Sequence, residues 1–80
     1  MLLSELPKGV RAVVESVNDS HADDLISQRL RDLGFVAGEP VEVVAYAPWG
    51  GDPMLVRIGA TRFALRRGEA GRVLVRGEAA

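Results

Sequence analysis

One histidine and a small group of carboxylates are the residues of this chain best placed to do chemistry. His21 lies among Asn18, Asp19, Asp23 and Asp24, and an imidazole beside several oxygens is a donor set for a hard or borderline cation. The same residues also read as a solvated capping region ahead of a helix, which needs no ligand. His21, Asp23 and Asp24 are therefore weak candidates, and the sequence assigns no metal site and no cofactor. Asp23 and Asp24 are adjacent, so on a helix they point about 100° apart and cannot clamp one proton. Nucleophilic catalysis needs a base held against Ser or Cys and oriented by a third group; this chain has one histidine and no cysteine. Gly50-Gly51 and Gly68-Glu-Ala-Gly71 lack the strand–loop–helix setting and the Lys-Ser/Thr of a phosphate loop. The expectation is a protein that binds, with no catalytic residues.

Binding has better candidates. Trp49, the single tryptophan, lies in Pro48-Trp-Gly-Gly-Asp-Pro53, a stretch dense in turn residues. An aromatic on a rigid loop is a favoured interface anchor, and a lid over one end of the fold is the alternative use of such a residue. Tyr46 and Pro48 adjoin it, and alternation places Tyr46 on the strand face opposite the core valines, in an exposed aromatic patch. Arg62, Arg66 and Arg67 add a basic face suited to an acidic partner. These six, Tyr46, Pro48, Trp49, Arg62, Arg66 and Arg67, are the predicted partner-binding residues.

Charge is divided along the chain. Residues 1–52 carry nine acids against four bases, a net of −5, and residues 53–80 carry six arginines against two glutamates, a net of +4. A set of solvated strand faces paired with the acidic half explains this division as well as a basic binding face does. A sequence pI near 5.7 weighs against nucleic acid, because phosphate binding relies on local cation density. Eighty residues make one small domain, and 48% hydrophobic against 26% charged residues excludes disorder. The absence of cysteine excludes disulfides and zinc ribbons and fits a reducing compartment. Met-Leu-Leu-Ser-Glu-Leu-Pro lacks the basic segment and apolar core of a signal peptide, and no apolar run approaches the ~18 residues that span a bilayer. A cytoplasmic protein without membrane insertion is expected.

The elements that must position these residues are mostly strands. Val10–Val17 is β-branched and alternating, as are Val41–Ala47, Met54–Ile58, Thr61–Arg66 and Arg72–Arg76. Leu3–Gly9 reads as a helical turn or loop, Gly59-Ala60 as a two-residue hairpin linker, and Gly68–Gly71 as a single turn. Apolar residues at 22, 25, 26, 30 and 33 recur with helical spacing, which predicts a helix over about 22–33 with Ser20 as its cap and Asp23 completing an approximate capping box. Gly34 then stands where a left-handed residue closes a helix, and Phe35 where an apolar side chain folds back on Leu30 or Leu33. The fold class is mainly β: a small SH3-like barrel of about five strands with one inserted α-helix. Its predicted core is Val10, Ala12, Val14, Leu25, Ile26, Leu30, Leu33, Phe35, Val41, Val43, Val56, Ile58, Phe63, Leu65, Val73 and Val75. One domain over 3–76 and a frayed tail over 77–80 are expected.

With these residues in place the chain resembles the ferrous iron transport protein A family, FeoA. The resemblance rests on Leu3-Ser-Glu-Leu-Pro-x-Gly9, on Arg29-Leu-Arg-Asp-Leu-Gly-Phe-Val-x-Gly38 followed by Val41-x-Val, on Asp52-Pro-Met-Leu-Val-Arg, and on Gly59-x-Thr-Arg-Phe-Ala-Leu-Arg-Arg-x-Glu-Ala70. Leu33, Gly34, Phe35, Gly38 and Gly59 are its structural markers, and Ala37 departs from the expected Pro-Gly. The resemblance implies an SH3-like fold without catalysis of its own. It also implies a role in bacterial ferrous iron uptake, beside a membrane permease (FeoB) with a cytoplasmic GTP-binding domain on which the chain docks, at the inner face of the membrane. A nucleic-acid-binding SH3-like module using Arg57, Arg62, Arg66 and Arg67, and a metal carrier or sensor using His21 with Asp23 or Asp24, are the alternatives. Weak self-association is left open.

Overall fold

A computed structural model describes residues 1–78. Its strands are β1 (Arg11–Val17), β2 (Pro40–Tyr46), β3 (Met54–Ile58), β4 (Thr61–Leu65) and β5 (Val73–Gly77). Helix α1 (Leu25–Leu33) is inserted between β1 and β2, and the single turn α2 (Arg67–Ala70) joins β4 to β5. All neighbours are antiparallel, in the order β4-β3-β2-β1-β5. Pro40 begins its strand, where its missing N–H costs no ladder bond. Gly77 closes β5 opposite Ala12, one residue past the expected domain limit; Ala79 and Ala80 of the expected tail lie outside the described residues.

The inward faces of the strands make the core. Ala12, Val14, Val41, Val43, Val56, Ile58, Leu65, Val73 and Val75 are buried as expected, around a completely buried Phe35. Leu33 and Phe63 pack against that cluster while partly exposed, and the Phe35 and Phe63 rings meet at 6.3 Å. The junction after α1 is a full Schellman closure: the Gly34 N–H donates to the Arg31 carbonyl and the Phe35 N–H to the Leu30 carbonyl, both at 3.1 Å. Gly34 sits at φ 113°, a conformation a Cβ resists.

Three features depart from the sequence expectations. The helix starts at Leu25, capped by Asp24 and preceded by Asp23 in a left-handed conformation. Its start moves because the Asp24 carboxylate accepts from the Ile26 and Ser27 N–H groups, leaving Ser20 outside the helix. Leu25 consequently begins the helix pointing into solvent, 74% exposed, and Ile26 and Val10 are also exposed.

The second departure is a pair of β-bulges. Between Val14 and Ser16 the register of β1 on β5 shifts by one residue, and between Val43 and Ala45 that of β2 on β3 does the same. Each extra residue inverts the alternation beyond it. Val17 therefore turns inward and joins the core. Tyr46 turns to the side of buried Met54, with which it pairs.

Third, the N-terminal segment is part of the core. A 3₁₀ turn at Leu3–Glu5 buries Leu3 and Leu6, and Met1 and Leu2 run alongside β5. The Met1 ammonium donates to the Val75 carbonyl at 3.0 Å, the Val75 N–H returns to the Met1 carbonyl at 2.8 Å, and Leu2 bridges Leu74. The outer edge of β5 is thereby covered.

Candidate protein-docking surface

The loop between β2 and β3 is braced from two sides. Its neck is closed by the Ala47 N–H donating to the Pro53 carbonyl at 3.0 Å and the Gly51 N–H to the Ala47 carbonyl at 3.1 Å. From α2, the Arg67 guanidinium donates to the Gly50 carbonyl at 2.6 Å and the Arg67 N–H to Asp52 Oδ1 at 3.0 Å. Gly51 lies at φ +71° against Tyr46, and a Cβ there would stand 3.3 Å from Tyr46 Cδ1. These contacts leave Trp49 at the tip, 89% exposed. It covers no end of the barrel; the loop displays it.

The predicted partner-binding residues therefore separate by role. Pro48 and Trp49 are exposed at the loop tip. Tyr46 is half-buried against the core, and its hydroxyl donates to the Leu6 carbonyl; the bulge in β2 removes it from the exposed aromatic patch expected of it. Arg67 is occupied in holding the loop. Arg62 is exposed on the outer face of β4, and Arg66, just past the strand's end, is exposed as the residue capping α2; neither joins one of the three ion pairs among the described residues. Glu69 caps the Arg66 N–H through Oε1 at 2.8 Å.

Across the outer face the register lines up Arg11, Glu42, Arg57 and Arg62 on β1, β2, β3 and β4. Glu42 pairs with Arg57, so the row ends in an unmatched cation. Behind β4, a groove of about 310 Å³ runs between that strand and α1, floored by Leu30, Leu33, Phe63 and Leu65 and reaching Pro53 of the Trp49 loop. Sequence reasoning missed this groove. Its one signal was the apolar Ile26, which the shortened helix leaves partly exposed at the rim.

Of the cation candidates, Asp23 is exposed, whereas Asp24 and His21 have other contacts. Asp24 is 1% exposed. Its Oδ2 accepts from Arg72 Nε at 2.7 Å, the Ser20 N–H at 2.8 Å and Ser27 Oγ at 3.1 Å, while Oδ1 takes the helix N–H groups. The Arg72 guanidinium, then the Ser20 N–H, hold its carboxyl far below the usual carboxylate range, against the opposing effect of burial. His21 Nδ1 meets the Ala22 carbonyl at 2.9 Å, and Asp19 pairs with Arg31 at 3.1 Å. No group of three or more His, Cys, Asp or Glu is arranged to hold a metal among the described residues. The Asp24–Arg72 pair was illegible in sequence, since its members lie 48 residues apart.

The family model of the FeoA domain matches residues 1–77. This chain belongs to the FeoA family. The FeoA of Stenotrophomonas maltophilia, solved in complex with zinc, is 62% identical over 95% of this chain and 89% of its own, with a TM-score of 0.89. It is described as a procaryotic SH3 domain protein and a candidate bacterial ferrous iron transport activating factor. The FeoA of Chlorobium tepidum is 40% identical over 99% of this chain and 71% of its own, TM-score 0.84. A manganese-dependent transcriptional repressor, 18% identical with a TM-score of 0.81, shares the fold. None of the curated proteins matches. The SH3-like FeoA fold expected from sequence is the fold observed. Among the described residues no helix is long and apolar enough to cross a membrane.

Proposed function

We propose that this FeoA-family chain is a cytoplasmic, non-enzymatic accessory factor of bacterial ferrous iron uptake, docking on the cytoplasmic domain of a FeoB-type GTP-binding permease. The observation that carries the reading is the loop of Trp49: a large aromatic held out in solvent on a backbone braced by Arg67. Such an arrangement places contact area at low ordering cost, which is what an interface anchor requires. Family membership and the description of the Stenotrophomonas maltophilia relative support the iron-transport setting. Arg62 and Arg66 supply long-range attraction to an acidic surface, an effect on association rate that salt screens.

Titration calorimetry of the permease's cytoplasmic domain against wild type and Trp49→Ala, at low and high salt, tests the proposal. Binding by wild type that weakens about thirty-fold in the variant is expected, the loss of a typical aromatic anchor. No binding by folded wild type in any nucleotide state overturns it. The nucleic-acid alternative is disfavoured because Arg57, Arg67 and Arg72 are engaged within the fold, which leaves few free cations on the basic half.

A further inference from the structure

The two edges of the sheet are treated differently. At β5 the edge is closed by Met1 and Leu2. At β4 it is open. The two-residue Gly59-Ala60 linker makes Ile58 and Thr61 the closing pair of the hairpin. Alternation along an antiparallel ladder then directs the N–H and C=O groups of Thr61, Phe63 and Leu65 to β3 and those of Arg62 and Ala64 outward. No backbone hydrogen bond from another element reaches Arg62 or Ala64 among the described residues. An exposed edge of this kind is a template for another strand.

The surroundings of that edge select what would pair with it. On the outer face, the row Arg11–Glu42–Arg57–Arg62 alternates in sign until its last step, where Arg57 and Arg62 stand directly opposite each other. Like charges in that relation are unfavourable. A carboxylate on the next strand, opposite Arg62, would restore the alternation. On the inner face the groove beside α1 presents Ile26, Leu33 and Phe63 together with Arg29, Arg66 and Glu69, and the Glu69 carboxylate is engaged in capping the Arg66 N–H. Arg29, like Arg62 and Arg66, joins no ion pair among the described residues. A second copy of this chain fits poorly, because edge-to-edge pairing of two β4 strands brings the arginines of both onto one seam.

We propose that β4 and the α1 groove form a site for strand addition. Its occupant is an extended segment of a partner protein with an acidic residue opposite Arg62 and an apolar residue opposite Phe63. Backbone hydrogen bonds to Arg62 and Ala64 supply the pairing, the groove takes the apolar side chain, and the arginines choose the charge. Pro53 lines the same groove, so the added strand runs beside the Trp49 loop. The inference rests on the docking reading above and adds to it the conformation and chemistry of the docked segment.

The test uses short synthetic peptides alternating glutamate with leucine, and their lysine–leucine counterparts, titrated into the ¹⁵N-labelled full chain. The glutamate peptide is expected to bind, to slow amide exchange at Arg62 and Ala64, and to lose affinity about tenfold in Arg62→Glu, which in turn gains affinity for the lysine peptide. Ala64→Pro, which removes an edge donor at an exposed position, is expected to abolish binding. Arg62→Glu keeps the test decisive should Ala64→Pro unfold the chain. Equal binding of both peptides, no binding of either, protection confined to other elements, or closure of this edge by a second copy in sedimentation each overturns the proposal. The permease's cytoplasmic domain is assayed separately: binding that needs Trp49 but ignores Ala64→Pro overturns strand addition and leaves docking standing. Failure of wild type to bind that domain overturns docking, with strand addition then judged on the peptides.

Discussion

Arg72 Nε stands 2.7 Å from Asp24 Oδ2, tying the residue before β5 to the cap of α1. The pair joins an almost fully buried carboxylate to a guanidinium that is itself largely buried, and it sets where the helix begins. It also sets how the protein responds to acid.

The carboxyl of Asp24 is depressed in the folded state, chiefly by Arg72. Its unfolded value is near 3.9. A depressed carboxyl contributes stability that is fully present above that unfolded value and drains away as pH falls toward the lower folded one. The stability of wild type in chemical denaturation is therefore expected to fall steadily below about pH 4. Asp24→Asn, being less stable at neutral pH, is expected to lose that part of the slope. An unchanged slope in the variant would assign acid sensitivity to other carboxylates.

Arg67→Gln removes the guanidinium that reaches the Gly50 carbonyl while leaving its backbone bond to Asp52. One exposed hydrogen bond contributes about 0.5–1.5 kcal/mol at most, so the melting temperature is expected to fall by about 2–12 °C. Relaxation measurements should show residues 48–52 gaining fast motion, and docking should weaken through the ordering cost newly imposed on the loop. A rigid loop in the variant would return Arg67 to the role of a free surface cation.

Gly51→Ala probes the same loop from its other support. The substituted residue must hold φ near +71° and place a methyl against the Tyr46 ring. A left-handed residue with a Cβ costs about 1–2 kcal/mol, and the near contact adds to it. Thermal denaturation and the near-ultraviolet signal of Trp49 should both register the change; a neutral Gly51→Ala would mean the loop adapts freely.

Leu30→Ala and Leu25→Ser, five residues apart on one short helix, should differ sharply. Leu30 is 2% exposed and carries the carbonyl that closes the helix end, so its truncation is expected to cost about 2–5 kcal/mol. Leu25 is in solvent, and its replacement should stay within about 0.5 kcal/mol. Urea denaturation distinguishes the two, and comparable losses would show that α1 begins a turn earlier.

Local chemistry was enough to read the strands, the hairpin at Gly59 and the Schellman closure at Gly34–Phe35. Each depends on neighbouring residues alone: β-branching, alternation, a residue able to hold positive φ, an apolar side chain to fold back. The family pattern followed from these same segments. Tertiary structure decided what depended on distant partners. Arg72, 48 residues away, recruits Asp24 as the helix cap. The bulges in β1 and β2 exist only as mismatches against β5 and β3, and they turn Val17 and Tyr46 inward. Arg67 changes from a free cation into a loop brace because α2 brings it to Gly50. The open edge of β4 beside the α1 groove belongs to that second class. A strand's place at the end of a sheet is a property of the whole order of strands, and no residue within it encodes that place.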